Sequence, residues 1–165
     1  MAPDHPAIQP LDASVLDRVL ALNNAFAEET SPLTAERLVE LVDIACYARG
    51  TADASAFLIA FDQDAAYDSP NFLWFRERYP RFVYIDRVVT AAAARGRGLA
   101  RALYGDLARV ARGQTQDILV CEVNSDPPNP GSDAFHRALG FSEVGSATLA
   151  DRGKTVRYLL KPLKR

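Results

Sequence analysis

Residues 83–111 read VYIDRVVTAAAARGRGLARALYGDLARVA: an apolar strand, a short Ala-rich turn, a clustered Arg/Gly loop and an amphipathic helix. A strand delivered into a helix by a glycine loop points to an alternating α/β arrangement. Along Arg95-Gly96-Arg97-Gly98-Leu99-Ala100, several backbone N–H groups meet at a helix start, where the macrodipole also favours anions. Gly96 and Gly98 remove Cβ atoms that would keep phosphate oxygens off the backbone. Arg95, Arg97 and Arg101 add fixed positive charge with fork-shaped donors. The loop is expected to hold a pyrophosphate.

Other phosphate loops fit these residues less well. A dinucleotide fingerprint needs a third glycine where Arg101 stands, and no acidic residue closes a following strand at the expected distance. The Gly-Lys-Ser/Thr of a Walker loop is absent. An Arg/Gly RNA-binding segment would be repeated and disordered, whereas this one occurs once between two periodic apolar elements. On the loop alone, a plain strand-turn-helix connection with solvated arginines stays open.

The chain has 165 residues, 48% of them hydrophobic, which suits one globular domain over residues 1–165 with a single core. Its formal net charge of −2 points to neither nucleic acid nor an anionic membrane, and the basic cluster at Arg97 is local. Cys46 and Cys121 lie inside apolar runs without metal-ligand spacing, so neither a disulfide nor a metal site is expected. The N-terminus, MAPDHPAIQP, has neither a basic start nor an apolar core, and no apolar run is long enough to span a bilayer. A cytoplasmic protein is the expectation.

Periodicity places the elements in the order β-α-α-β-β-β-α-β-α-β-β, without repeats or linkers. After a first strand at 7–10, Asp12 can cap a helix with Val15, Val19, Leu22 and Phe26 on one face. A loop follows at 28–33, and Thr34 can cap a second helix carrying Leu38, Leu41 and Val42. Residues 44–49 and 56–62 read as a hairpin, 67–81 as an aromatic connection with one helical turn, and 82–90 as the strand feeding the loop. A helix spans 98–112 and a buried strand 117–124. In the short helix at 132–139, Ser132 is the expected N-cap and Gly140 the stop, before a terminal hairpin of 141–150 with 155–163.

Arg95, Gly98 and Ala100, with Asn124 at a strand end and the segment Ala134-Phe135-His136-Arg137-Ala138-Leu139-Gly140-Phe141, resemble the GCN5-related N-acetyltransferases. In that family the acetyl-CoA loop carries Arg or Gln, Gly three positions on and Gly or Ala two further. Its second cofactor segment usually ends Phe-Tyr-x-x-Leu-Gly-Phe, so His136 stands where Tyr is usual. The resemblance implies a single-domain α/β acyltransferase fold: a mixed sheet of six to seven strands, splayed near Val88 and Asn124, with about four helices. It implies direct acetyl transfer from acetyl-CoA to a primary amine. Cofactor contacts then fall on Val88, Val89, Thr90, Arg95, Gly96, Arg97, Gly98, Leu99, Ala100, Arg101, Asn124, Asn129, Ser132 and His136.

That chemistry needs a base for the ammonium, a donor for the developing oxyanion and a proton for the departing thiolate. A backbone N–H near Val88, Val89 or Thr90 would serve the oxyanion, and His136 takes the place of the usual acid. Asp86 is the first base candidate because strand alternation puts it on the side of Val88 and Thr90; for the same reason Arg87 is the less expected ion-pair partner. Glu122 is the second, Glu28 or Glu29 could recognise a cationic acceptor, and Phe72 and Trp74 could wall an acceptor pocket or simply pack. The acceptor is a small-molecule or peptide amine, and the exposed edge of the terminal hairpin would support a homodimer. A non-catalytic acyl-CoA sensor and a small nucleic-acid module using Arg95, Arg97 and Arg101 are the rival readings.

Overall fold

The computed structural model describes residues 7–164. The reading of the N-terminus as leaderless rests mostly on residues 1–6 and lies outside them. β1 (Ile8–Pro10) leads into α1 (Leu16–Ala25), then α2 (Ala27–Thr30) and α3 (Ala35–Ile44). β2 (Tyr47–Thr51) and β3 (Ala56–Asp62) form the expected antiparallel hairpin, followed by α4 (Pro70–Arg76) and β4 (Val83–Thr90). A 3-10 turn at Ala92–Ala94 and the Arg/Gly loop deliver α5 (Leu99–Gly113), β5 (Ile118–Asp126) and α6 (Pro130–Ala138). β6 (Ser142–Leu149) and β7 (Lys154–Pro162) close the chain around Gly153, at φ +62°.

All seven strands form one sheet in the order β1-β2-β3-β4-β5-β7-β6, antiparallel throughout except for the β4–β5 pair. One face is covered by α5, whose Leu99, Leu103, Leu107 and Ala111 pack with Leu58, Ile85, Leu119 and Cys121. The other is covered by α1, α3 and α4, through Val19, Leu38, Leu41, Phe72 and Phe75 against Phe57, Tyr84 and Val120. Each large side chain so buried contributes roughly 1.5–3 kcal/mol to holding its helix on the sheet.

Where the structure departs from the periodicity, short polar side chains and prolines explain it. The Asp12 carboxylate accepts from Ser14 N–H at 2.9 Å and fixes a turn before α1, not the helix itself. The expected loop at 28–33 holds the single turn of α2, and the connection at 67–81 holds two turns started by Pro70. These short helices are the two beyond the four expected. Thr34 does cap α3, accepting from Arg37 N–H at 3.1 Å. In α6 the cap is Asn129, which accepts from Ser132 N–H at 3.2 Å, so Ser132 lies inside the helix. Gly140, at φ +94°, ends it as expected.

Phe72 and Trp74 do not wall a pocket. Phe72 is fully buried, and Trp74 stacks on Tyr158 at 4.2 Å while the Arg78 guanidinium covers it at 4.0 Å. A Cβ at Gly145 would overlap the Trp74 ring, so the absent side chain there is what lets α4 lie against β6. The aromatic run is core packing of α4 on β4 and on the terminal hairpin.

Two irregularities in β4 prepare the functional site. β4 and β5 pair only at Val83–Leu119 and Tyr84–Val120; beyond these the strands diverge, leaving the β4 edge without a strand partner. In the β3–β4 ladder, Ile85 pairs with Ala60 and Arg87 with Ile59, so Asp86 is an extra, bulged residue. Among the described residues, no helix is long and apolar enough to cross a membrane, and no cluster of His, Cys, Asp and Glu could hold a metal.

Candidate active site

The Arg/Gly loop owes its shape to two left-handed glycines, Gly96 at φ +81° and Gly98 at φ +75°. The first backbone bond of α5 is Ala102 N–H to Gly98 O at 3.0 Å, which leaves the N–H groups of Leu99, Ala100 and Arg101 directed out of the helix end. They open on a cavity of about 720 Å³. Its walls include Val88, Val89 and Thr90 from β4, Arg95, Gly96, Gly98, Leu99, Ala100 and Arg101 from the loop, and Asn129 and Ser132 from α6. The Arg95 guanidinium stacks at 5.2 Å over Phe26, so the α1–α2 corner forms the remaining wall. Arg97 is exposed and does not line this cavity. Neither does Asn124, which lies deeper, in the split sheet.

A narrow slot, about 150 Å³, crosses the sheet where β4 and β5 part. It shares Val88, Asn129 and Ser132 with the large cavity, and Asp86, Arg87, Glu122 and Asn124 with a third cavity of about 430 Å³ on the α1/α4 face. That third cavity is mostly polar, with Tyr67, Asn71 and Tyr84 at its base. The three spaces thus lie side by side, sharing walls from the α5 N-terminus across the split sheet.

Glu122 stands where the slot meets the polar cavity. Burial pushes its carboxyl up to about 7; the Tyr84 hydrogen bond opposes this, and the charge of Asp86 adds to it. Tyr84 Oη donates to both carboxylate oxygens, at 2.7 and 3.0 Å. Burial, with Glu122 and Asp86 nearby, holds the Tyr84 phenol well above its ordinary range, so it stays a donor at neutral pH.

Asp86 is committed elsewhere. Its carboxylate accepts from Arg87 Nε at 2.7 Å and from Tyr67 Oη at 2.6 Å, and Arg87 in turn donates to Asn23 on α1 at 3.0 Å. The alternation argument fails on both counts because the bulge resets strand parity. Asp86 and Arg87 point to the same face, that of α1 and α4, whereas Val88 packs on the α5 face. With only 5–6% of either side chain exposed, the pair forms a closed ionic unit beside Glu122.

His136 lies on the opposite side of the slot, 5% exposed, with both ring nitrogens engaged. Nδ1–H donates to the Ser132 carbonyl at 2.8 Å, which fixes the tautomer and makes Nε2 the acceptor of the Tyr104 hydroxyl at 2.8 Å. Burial holds its pKa below the ordinary value, so the ring is neutral and has no spare proton to give. His136→Leu is expected to change turnover less than about tenfold and leave the pH profile in place. It should lower stability by about 1–3 kcal/mol, because the Tyr104 hydroxyl loses its buried partner. Steady-state rates against pH and thermal melts check this; a displaced pH profile would return His136 to the proton path.

Glu28, expected to recognise the acceptor, is exposed and does not line the polar cavity; its neighbour Glu29 does. Cys121 lines the slot, but burial pushes its thiol far above the ordinary range, so it is no nucleophile. Of the aromatic acceptor segment that sequence reasoning singled out, Tyr67 does line the polar cavity; missed were its hydroxyl's role in fixing Asp86, the Tyr84 hydroxyl on Glu122, and Arg152 and Lys154 at the cavity mouth.

The model of the acetyltransferase (GNAT) family matches residues 28–141, from α2 through the Arg/Gly loop to the end of the α6 segment. The chain belongs to the GNAT family. Its fold is that of solved GNAT proteins. Ard1 from Thermoplasma volcanium superposes with a TM-score of 0.74 at 13% identity, covering 96% of this chain and 98% of that one. An N-acetyltransferase from Staphylococcus aureus Mu50 gives 0.72 at 17% identity, covering 98% and 100%. The ribosomal-protein-S18-alanine N-acetyltransferase from Escherichia coli gives 0.68 at 15% identity, covering 96% and 94%. No curated protein matches the sequence. GNAT proteins use acetyl-CoA, and the residues here fit it: outward N–H groups, no Cβ at Gly96 and Gly98, two arginines lining the cavity and a strand edge open beside it.

Proposed function

We propose that this chain, acting as one domain, moves the acetyl group of acetyl-CoA to a primary amine by direct transfer, with both substrates bound at once. The observation that carries this reading is the slot through the splayed sheet. It lies between the cavity at the α5 N-terminus and a polar cavity that has Glu122 at its inner end. Acetyl-CoA supplies an activated acetyl thioester; the rest falls to the protein.

The N–H groups of Leu99, Ala100 and Arg101 and the side chains of Arg95 and Arg101 hold the pyrophosphate. The open β4 edge around Val88, Val89 and Thr90 offers backbone groups to the pantetheine arm and an N–H to the charge that develops on the carbonyl oxygen. An alkylammonium, with an ordinary pKa near 10.4, has no free lone pair at neutral pH. Glu122, charged above about pH 7 and oriented by Tyr84, takes the first proton and frees the amine to attack. The second proton leaves as the amide forms and neutralises the thiolate. The Asp86–Arg87 pair sets the field around Glu122, and His136 orients Tyr104 in the slot wall.

The test is free-thiol release from acetyl-CoA against a panel of amines. Release should require a primary amine and should be absent with the matching tertiary amine. Equal release with and without a primary amine would overturn the reading.

A further inference from the structure

The polar cavity has two poles, and they differ in charge. Its inner end holds Glu122; its mouth is framed by Arg152 and Lys154, at the turn into β7. The third cation, Arg87, is neutralised by Asp86 at 2.7 Å. Arg152 and Lys154 are not: among the described residues neither pairs with a carboxylate. Glu29 supplies the one exposed carboxylate of the rim.

The same turn also limits what can enter. Lys154 Nζ donates to Glu28 O at 2.9 Å, tying the β6–β7 hairpin to α2 across the mouth. Lys154 thus bridges one side of the mouth of a space of about 430 Å³, the size of a small-molecule site. A mouth with two cations to one carboxylate, above a carboxylate floor, selects against a simple dication and in favour of a zwitterion.

We infer that the acceptor is a small amino acid-like molecule: its amine lies toward Glu122 and its carboxylate is held by Arg152 and Lys154. This rests on the acetyl-transfer reading above and narrows its acceptor. The carboxylate makes charge-assisted bonds at the mouth that an amide of the same shape cannot replace, an advantage of about tenfold or more in kcat/KM. Among the described residues the Arg152 side chain makes no hydrogen bond or ion pair, whereas Lys154 also bonds Glu28 O across the mouth, so Arg152→Gln is the variant that changes charge alone.

The experiment follows thiol release from acetyl-CoA with the full chain. Acceptors are the α-amino acids and the ω-amino acids from glycine to 5-aminopentanoate, each beside its amide, plus a short peptide with a free N-terminus. At least one free acid should exceed its amide by about tenfold or more. Arg152→Gln should raise the KM for that acid and bring the acid-to-amide ratio toward 1, with Lys154→Gln doing the same. Amides equal to acids, the peptide as the best acceptor, or a ratio unmoved by Arg152→Gln would each overturn the acceptor assignment while leaving acetyl transfer intact. No thiol released from any member, with release in the wider amine panel above, would overturn the acceptor assignment alone; no release in either, with a melting temperature raised by acetyl-CoA, would overturn the transfer reading and the acceptor assignment with it.

Discussion

Replacing Glu122 by Gln is expected to lower kcat/KM at neutral pH by about 10²- to 10⁴-fold, the range for loss of a positioned general base. The substitution keeps the shape of the side chain and an acceptor for Tyr84, so the cavity should persist. In the parent chain, kcat/KM should rise with pH through about 7, as Glu122 ionises, and Glu122→Gln should abolish that limb. The stability effect has the opposite sign. A carboxyl raised in the folded state from 4.5 to about 7 contributes stability that is fully present at low pH and is lost as pH climbs through that window. The Gln variant lacks this slope, so its melting temperature should gain on the parent's as pH rises through the same window. Rate profiles and melts on the same buffers check both signs; a variant with parental kcat/KM would remove Glu122 from the mechanism.

The second large effect is expected at Gly98. Its φ of +75° is accessible to glycine at little cost, whereas a β-branched side chain there costs about 1–3 kcal/mol. Gly98→Val should therefore turn the N–H groups of Leu99 and Ala100 away from the cavity and weaken CoA binding by about 100-fold or more, given about 1.5–3 kcal/mol for each bond to a charged group. Gly105 makes a clean comparison: a Cβ there meets nothing within 4 Å, and Gly105→Ala should leave CoA binding unchanged while raising helix stability by about 1 kcal/mol. Titration calorimetry with CoA reads both. Gly98→Val binding within threefold of the parent would place the pyrophosphate elsewhere.

The donor half of the site was legible in the sequence because it is local. Arg95, Gly98 and Ala100 lie within six positions, and their backbone geometry follows from glycine and a helix start, whatever the rest of the chain does. The α6 segment was legible for the same reason, though Asn129 and Ser132 both suit a cap, and it is Pro130 at the first helical position that settles the choice. The acceptor half was not. A single bulged residue reversed the parity from which Asp86 was placed, and nothing in VYIDRVVT marks it. Glu122 was visible as a candidate, but its raised pKa depends on burial and on the charge of Asp86 from a neighbouring strand, against the opposing hydrogen bond from Tyr84. Phe72 and Trp74 look alike as pocket wall or core until Phe82 and Tyr84 are seen to pack on the first and Tyr158 and Gly145, far along the chain, on the second. Arg152 and Lys154 reach the cavity mouth from the far end of the chain, through hairpin geometry that no local pattern records.

Direct transfer through the slot requires that acetyl-CoA and amine be bound together before any acetyl group moves. Initial rates of thiol release, with both substrates varied, report that order most directly. Double-reciprocal lines should intersect, and Glu122→Gln should keep that pattern at a far lower rate. Parallel lines would mean that the acetyl group is first parked on the protein, and no amine-dependent release at all would mean that the slot between the two cavities is not a reaction path.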